Sequence, residues 1–469
     1  MKVMLLNPPA PKPMIREGRC QSPGSMRQTS IPQLSLACMG RLLLEAGADV
    51  DLVECMALDL GLEEVLERAE DAKLIFMNTT TPTFRNDMEV AAALRKACPW
   101  ARIGAFGTHV TALHRAVMEE QEALDFVIRG EPELTALEVF RSERLEGIQG
   151  ITWREGGEVK VERPRPFCRD LDRIARPARE LLPNDRYLHP LSGKPYTIVN
   201  VSRGCPARCS FCVARLYYGG KLRLRSVESV LDELEGLDAD HVWLYADELT
   251  ADKAFLRSLC LGILERGLKI RWWSNTRADV LDGELYRLMA RAGCFMLSIG
   301  GESGSPEILQ RANKNLDPGQ VKRTVAMLRQ ADIISLVYFL IGLTGETRET
   351  IRATLDFARA AGPDYVEFYP ATPYPGTPFL RQAEAEGRIT VRDHDQYECG
   401  GTCFVLGVEG MTQHELAAAL RRAYLRYYLR PSYLPILFRR LRSPREFAKL
   451  IRFGLSYFRR FAVPIRRVP

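Results

Sequence analysis

Tyr196-Thr197-Ile198-Val199-Asn200-Val201-Ser202-Arg203-Gly204-Cys205-Pro206-Ala207-Arg208-Cys209-Ser210-Phe211-Cys212 couples two signals. Thr197–Val201 is a short, β-branched, apolar run of the length of a buried strand. The loop that follows carries three cysteines at C-x3-C-x2-C. That spacing lets one loop place three sulfurs around one compact centre. Zinc normally takes four ligands, often from paired C-x2-C knuckles, and no second pair lies nearby. Three thiolates on a cubane iron–sulfur cluster leave one iron open for a further ligand. A zinc site completed by a distant His or Cys is the alternative.

The same strand-then-loop grammar repeats downstream. His241–Tyr245, Ile270–Ser274, Met296–Ile299, Ser335–Leu340 and Tyr365–Tyr369 read as further strands with helical stretches between them. Six such units predict a full or partial β/α barrel over 196–390, with functional groups after each strand. Upstream, residues 1–145 alternate strands (Val3–Leu6, Val50–Val53, Leu74–Met77, Arg102–Ala105, Phe126–Ile128) with helices such as Leu34–Ala46. That order predicts a parallel, doubly wound, Rossmann-like sheet. Ligands of such sheets sit outside the carboxyl ends of the strands. Residues 146–195 read as a connector with a hairpin around Glu155-Gly156-Gly157. Residues 391–469 read as a helical basic region.

Composition sets the bounds. The 469 residues are 46% hydrophobic and 26% charged, which excludes disorder and low-complexity classes. No run of 18 apolar residues occurs, so no transmembrane helix is expected. Met1–Asn7 reads as a buried strand rather than a secretory signal, and a cytoplasmic location is expected. The 12 cysteines are then unsuited to a disulfide framework. From Arg421 to Pro469 there are fourteen Lys and Arg against one acid, a net +13, while the first 420 residues sum to −7. The body of the protein is thus a poor nucleic-acid binder.

With Phe211 before the third cysteine, the loop resembles that of the radical S-adenosylmethionine (SAM) superfamily. The resemblance implies a [4Fe–4S] cluster on Cys205, Cys209 and Cys212, SAM on its open iron, and Phe211 near the adenine. Later motifs agree in order and spacing. Asp247 and Glu248 occupy the place of the Gly-Gly-Glu motif. Asn275 and Arg277 follow the third barrel strand. Gly300-Gly301-Glu302-Ser303-Gly304-Ser305 resembles G-x-E-S-G-S, with Lys314 in its continuation. Gly342-Leu343-Thr344-Gly345-Glu346-Thr347 resembles G-x-P-G-E-T, and Tyr374-Pro375-Gly376-Thr377-Pro378 matches the P-G-T after the last strand. SAM contacts are therefore expected from Phe211, Asp247, Glu248, Asn275, Arg277, Glu302, Ser303 and Gly342.

The first 145 residues resemble the cobalamin-binding domain fused to many radical SAM enzymes. The residues that carry this are Asn7-Pro8-Pro9, Thr79-Thr80-Thr81, Gly107-Thr108-His109 and Gly130-Glu131-Pro132-Glu133. Cobalamin contacts are expected from Asn7, Pro8, Thr79, Thr80, Thr81, Gly107, Thr108, His109, Gly130 and Glu131. The D-x-H-x-x-G motif is absent, so the cobalt has no histidine ligand of that type. Arg16 and Arg19, in a long insertion after the first strand, are candidates to reach a corrin or SAM carboxylate or phosphate. Cys20, Cys399 and Cys403 lack a partner set.

The tail after Met411 reads as helices over Glu415–Leu429, Leu434–Leu441 and Arg445–Phe461, with arginines interleaved among Tyr424, Tyr427, Tyr428, Tyr433, Phe438 and further aromatics. This fits contact with a membrane surface through 421–469. A helical cap on the barrel is the bland alternative, and RNA binding a third. The resemblance implies an enzyme that cleaves SAM reductively and functionalises an unactivated carbon, most simply by C-methylation. A flavodoxin or ferredoxin is the expected electron donor, and an apolar lipid or tetrapyrrole a fitting substrate. The alternatives are a radical cyclase, oxidase or rearrangement enzyme, like the anaerobic magnesium-protoporphyrin cyclase, and a cluster- or cobalamin-based sensor.

Overall fold

A computed structural model describes residues 1–12, 14–17, 31–174, 176–189, 192–279, 282–398 and 403–440. Arg19, Cys20, Cys399 and the helix expected over 445–461 lie outside the described residues.

Seven strands form the first sheet: β1 (Lys2–Asn7), β2 (Asp49–Glu54), β3 (Leu74–Asn78), β4 (Arg102–Phe106), β5 (Phe126–Ile128), β6 (Ile151–Glu155) and β7 (Glu158–Val161). Their order is β2-β1-β3-β4-β5-β6-β7. The first five are parallel, and β6 and β7 add an antiparallel hairpin at one edge. Apolar residues fill both faces: Val3 and Leu5 join one core, Met4 and Leu6 the other. That is why these strands read as continuous hydrophobic runs. The order reverses between β1 and β3, a switch point that opens a crevice at their carboxyl ends. Asn7 and Asn78 stand at that crevice.

The second sheet has six parallel strands: β8 (Tyr196–Asn200), β11 (His241–Tyr245), β12 (Arg271–Thr276), β13 (Cys294–Glu302), β14 (Ile334–Ile341) and β15 (Tyr365–Pro370). They are ordered by sequence, with β8 and β15 as the two edges, so the barrel is partial and open. Alternate residues such as Val199, Val242, Leu297, Val337 and Val366 pack outward under the helices. The intervening residues face the concave side. A short antiparallel pair absent from the sequence reading, β9 (Ser202–Arg203) with β10 (Arg223–Leu224), closes the base of the cysteine loop.

The barrel's last edge is covered by the helix Gln413–Tyr428. The Tyr424 hydroxyl donates to the Phe368 carbonyl (2.9 Å) and accepts from the Phe368 amide (2.8 Å). Tyr428 does the same with Val366 (2.8 and 3.0 Å). Four residues of helix rise about 6 Å, and two residues of strand about 6.6 Å. The parallel Tyr424 and Tyr428 rings, 6.4 Å apart, match that repeat and stand in for a seventh strand. Tyr433 and Arg439 tie the chain further to Asp364. Over residues 421–433 the tyrosines serve the sheet edge, as the helical-cap alternative expects. Among the described residues no helix is long and apolar enough to cross a membrane.

Candidate functional site

The rim of the first sheet is braced from within. Arg16 is buried, and its guanidinium donates to the Asn7 side-chain oxygen (3.1 Å), the Pro8 carbonyl (2.7 Å), Thr83 Oγ1 (3.2 Å) and Asp87 Oδ1 (2.7 Å). Thr79 and Thr83 hydroxyls donate to the other Asp87 oxygen (2.8 and 2.6 Å). The Asn7 amide in turn donates to both oxygens of Glu54 (2.8 and 2.7 Å). Burial pushes the Glu54 carboxyl up to about 7, and that of Glu17 likewise. Arg16 is thus a cross-brace of the rim.

One cavity is lined by Arg16, Glu17, Asn78, Thr79, Thr80, Gly107 and Thr108 on this rim, and by Tyr217 and Tyr218 from the barrel side. The two tyrosines belong to the helix Ala214–Tyr218, directly after the third cysteine. Gly107 has φ +130°, and a Cβ there would run into the Thr79 carbonyl; glycine lets β3 and β4 end side by side. Four of the ten residues expected at cobalamin therefore share this cavity: Thr79, Thr80, Gly107 and Thr108. The other six are engaged elsewhere. Asn7 and Pro8 hold Arg16. The Gly130 amide donates to Thr111 Oγ1 (3.0 Å). His109 is buried against Phe84 and His394, with Nδ1 3.3 Å from Thr81 Oγ1. Burial drives its pKa down to about 3, so the ring is neutral. Glu131 pairs with Arg203 (3.3 Å) and Arg223 (2.8 Å).

That last contact belongs to a buried bracket that sequence reasoning missed. Arg203, next to the cysteine loop, is held by Glu133 through two bonds (2.6 and 3.1 Å) and by Glu131. Its cationic plane also lies over Tyr218. The first sheet's Glu131-Pro132-Glu133 turn thereby grips the loop of the second. Two acids two residues apart, just past the end of an apolar strand, were the available signal.

The cysteine loop is pinned at several points. Gly204 takes φ +83° where a Cβ would strike the Lys221 carbonyl, and its amide donates to Asp247 (2.8 Å). The Ser210 amide donates to Ala312 O (2.9 Å), and the Phe379 amide to Ser210 O (3.0 Å). Cys205, Cys209 and Cys212 are of intermediate burial. Among the described residues no three His, Cys, Asp or Glu side chains converge tightly enough for a single ion. Three thiols on one pinned loop suit three corners of a cubane cluster. Phe211 packs beside the core of Val213, Ile308 and Leu343.

Above the loop lie the other expected SAM residues. Lys314 Nζ pairs with Glu302 (2.9 Å), both buried. The Arg277 guanidinium reaches Asp279 (2.9 Å) and the Lys314 carbonyl (3.0 Å). Both cations lie within electrostatic range of Cys209. Glu248 accepts from Thr250 Oγ1 (2.5 Å) and the Arg277 amide (3.3 Å), and burial raises its pKa. Glu302 adopts φ +59°, a left-handed conformation costly for a side chain, next to Gly300 where a Cβ would meet Glu302 and Lys314. Asn275 lies half-buried on the concave side of β12. The Gly342 amide donates to Glu346 and its carbonyl accepts from Arg388 (2.8 Å). Ser303 is turned away: its hydroxyl meets Thr354 (3.0 Å) and accepts from the Ser305 amide (3.1 Å). Cys403 donates to Gln396 (3.3 Å).

The radical SAM superfamily profile matches residues 199–358, and the B12 binding domain profile matches 26–140. An uncharacterized methyltransferase from Pyrococcus horikoshii is 31% identical over 444 residues, covering 92% of this chain and 94% of that protein. The chain belongs to the radical SAM superfamily. It is a radical SAM enzyme with a B12-binding domain, and its cofactors are a [4Fe–4S] cluster, SAM and cobalamin. The anaerobic magnesium-protoporphyrin IX monomethyl ester cyclase of Cereibacter sphaeroides is 28% identical over 419 residues, 86% of this chain and 68% of that one. Two solved structures share the fold. The cobalamin-dependent SAM radical enzyme OxsB has a TM-score of 0.76 at 17% identity, over 97% of this chain and 72% of its own. The radical SAM methyltransferase TsrM from Kitasatospora setae has 0.71 at 18%, over 90% and 88%.

Proposed function

We propose that this enzyme is a cobalamin-dependent C-methyltransferase acting on an unactivated carbon. The observation that carries it is the cavity where Thr79, Thr80, Gly107 and Thr108 of the first sheet meet Tyr217 and Tyr218 of the helix that follows the cysteine loop. A methyl carrier on the rim and SAM at the loop would there address one substrate. When bound, the cluster supplies the electron that cleaves SAM to a carbon radical, and cobalamin carries the methyl group.

The chain's own residues bind and orient. Cys205, Cys209 and Cys212 hold the cluster. Phe211 offers an apolar face to the adenine. Arg277 and Lys314 place positive charge beside Cys209, which suits a ligand carboxylate. Asp247, Glu248, Glu302, Asn275 and the Gly342 backbone suit the amine and ribose. Ser303 holds the turn that presents Glu302. Thr79, Thr80, Gly107 and Thr108 meet the corrin's polar edge, while Asn7, Pro8 and Arg16 keep that rim rigid. The Glu131–Glu133 bracket fixes the distance between the two halves, an orientation effect on which such chemistry depends. We take the reductant to be a flavodoxin- or ferredoxin-type protein.

The likeness to the Cereibacter cyclase supports radical cyclisation as a second reading. The test is anaerobic turnover with methyl-deuterated SAM. Methylation requires label on cobalamin and release of S-adenosylhomocysteine; deoxyadenosine without S-adenosylhomocysteine contradicts it and favours the cyclase. Cys209→Ala should abolish deoxyadenosine formation, and undiminished cleavage would sink both readings.

A further inference from the structure

The cysteine loop has an outer side as well as a side toward SAM. Cys205, Cys209 and Cys212 are all only partly buried, so the loop that carries them reaches the surface. Three cations stand exposed on it and on the segment that follows: Arg208 between the first two cysteines, Arg215 on the helix Ala214–Tyr218, and Lys221 just beyond that helix. Packing draws the last two toward the first cysteine. The Arg215 guanidinium lies against Gly220, where a Cβ would strike it. The Lys221 carbonyl closes on Gly204, and the Gly219 carbonyl accepts the Cys205 amide (3.4 Å).

The charge of this patch is unspent. Among the described residues Arg208, Arg215 and Lys221 form no ion pair, whereas Arg203 and Arg223 of the β9–β10 pair both bind Glu131. The patch also contrasts with its setting, since the first 420 residues sum to −7. Phe167 of the connector adds an apolar contact. It is 38% exposed, its ring packs on Gly219 where a Cβ would collide with it, and the Arg223 guanidinium lies over it at 5.1 Å. One glycine thus separates an exposed aromatic ring from the backbone that holds Cys205.

We infer that this patch is the docking surface for the electron donor, and that it takes a small protein with an acidic face around a one-electron cofactor. The donor is oxidised by one electron, and the cluster on the three cysteines is reduced by one. Electron transfer falls off steeply with distance, so the donor must meet the chain where the cluster loop is exposed. Opposite charge steers that encounter and sets its orientation. A few cations beside one aromatic ring suit the small interfaces of transient redox partners. The inference rests on the protein reductant proposed above, and it is indifferent to whether methylation or cyclisation follows.

The test uses the anaerobic holoenzyme with cluster, cobalamin and SAM, and reads the apparent kcat/KM for the donor from 5′-deoxyadenosine formation. Two donors are compared: flavodoxin hydroquinone, an acidic protein, and reduced methyl viologen, a small cation that needs no docking. Arg215→Glu with Lys221→Glu should lower the flavodoxin value about tenfold or more at low ionic strength, and should leave the viologen value unchanged or raised. The difference should close near 1 M salt, where the screening length is about 3 Å. The milder pair Arg215→Gln with Lys221→Gln should cost flavodoxin about threefold, and Arg208→Gln should act in the same direction. Phe167→Ala should weaken flavodoxin severalfold while its salt dependence remains. Flavodoxin kinetics untouched by both double variants, a salt-independent flavodoxin rate, or an equal loss with viologen in both double variants overturns the assignment. Failure of flavodoxin to drive the natural protein, with viologen still effective, removes the protein reductant and the docking surface with it. Docking as expected with no S-adenosylhomocysteine released leaves the surface in place and removes only the methylation reading.

Discussion

Glu346 offers a test with a calculable size. It sits in the Gly342–Thr347 loop at the barrel mouth. One carboxylate oxygen accepts the Gly342 and Leu343 amides, the latter at 3.2 Å. The other is buried and has no hydrogen-bond partner among the described residues. Burial pushes the carboxyl from its ordinary 4.5 up to about 7. Between those values the folded protein keeps a proton that the unfolded chain releases. The associated stability is present below the unfolded pKa and is lost as pH rises through the folded one. At ~1.4 kcal/mol per pKa unit, about 2–3 kcal/mol disappears between about pH 5 and pH 8. Glu346→Gln keeps an oxygen for the two amides and cannot ionise. Urea unfolding of both proteins across that range, under anaerobic conditions, isolates the group, because Glu17 and Glu54 titrate in each and cancel. The variant's advantage over the natural protein should grow by about 2–3 kcal/mol from pH 5 to pH 8. Parallel stability curves would refute the reasoning.

Two further perturbations address the assembly. Glu133→Gln removes the charge that neutralises buried Arg203 and leaves it one amide oxygen in place of the bidentate carboxylate, beside the longer contact to Glu131; the loss should be about 3 kcal/mol, with faster removal of iron by a chelator. Unchanged stability and iron retention would deny the bracket its role. Tyr424→Phe with Tyr428→Phe leaves the Val366 and Phe368 amides and carbonyls at the sheet edge without these partners, at about 1–3 kcal/mol for each unsatisfied group. Urea midpoints equal to those of the natural protein would show that the helix does not complete the sheet.

Strands were legible because they are apolar on both faces, and the cysteine loop because three sulfurs need that spacing. The roles of rim residues were less legible for a physical reason. Whether Asn7 or Thr79 faces a ligand depends on which partners consume its donors. Those partners, Arg16, Glu54 and Asp87, come from other segments and meet only in the folded rim. Glu131 is the same case, since its partners are Arg203 and Arg223 on the second sheet. The tail shows a different limit. Helical periodicity was plain, and the aromatic and basic pattern suited a lipid surface. What distinguished a cap was the hydroxyl: two tyrosines four apart match the repeat of an exposed strand, whereas phenylalanines would not. Ser303 carried a family motif yet points into the turn, so motif membership located the segment but not the direction of each side chain.

The central claim is that a radical SAM site and a cobalamin site serve one reaction in this chain. The most direct measurement reconstitutes the protein anaerobically with iron, sulfide and hydroxocobalamin, desalts it, and adds SAM and a strong reductant. Absorbance reports retained corrin, and mass spectrometry counts 5′-deoxyadenosine and S-adenosylhomocysteine. Retained corrin with both products, and loss of deoxyadenosine in Cys209→Ala with corrin still bound, is the result expected. Neither retained corrin nor deoxyadenosine from the natural protein would contradict the two-cofactor account.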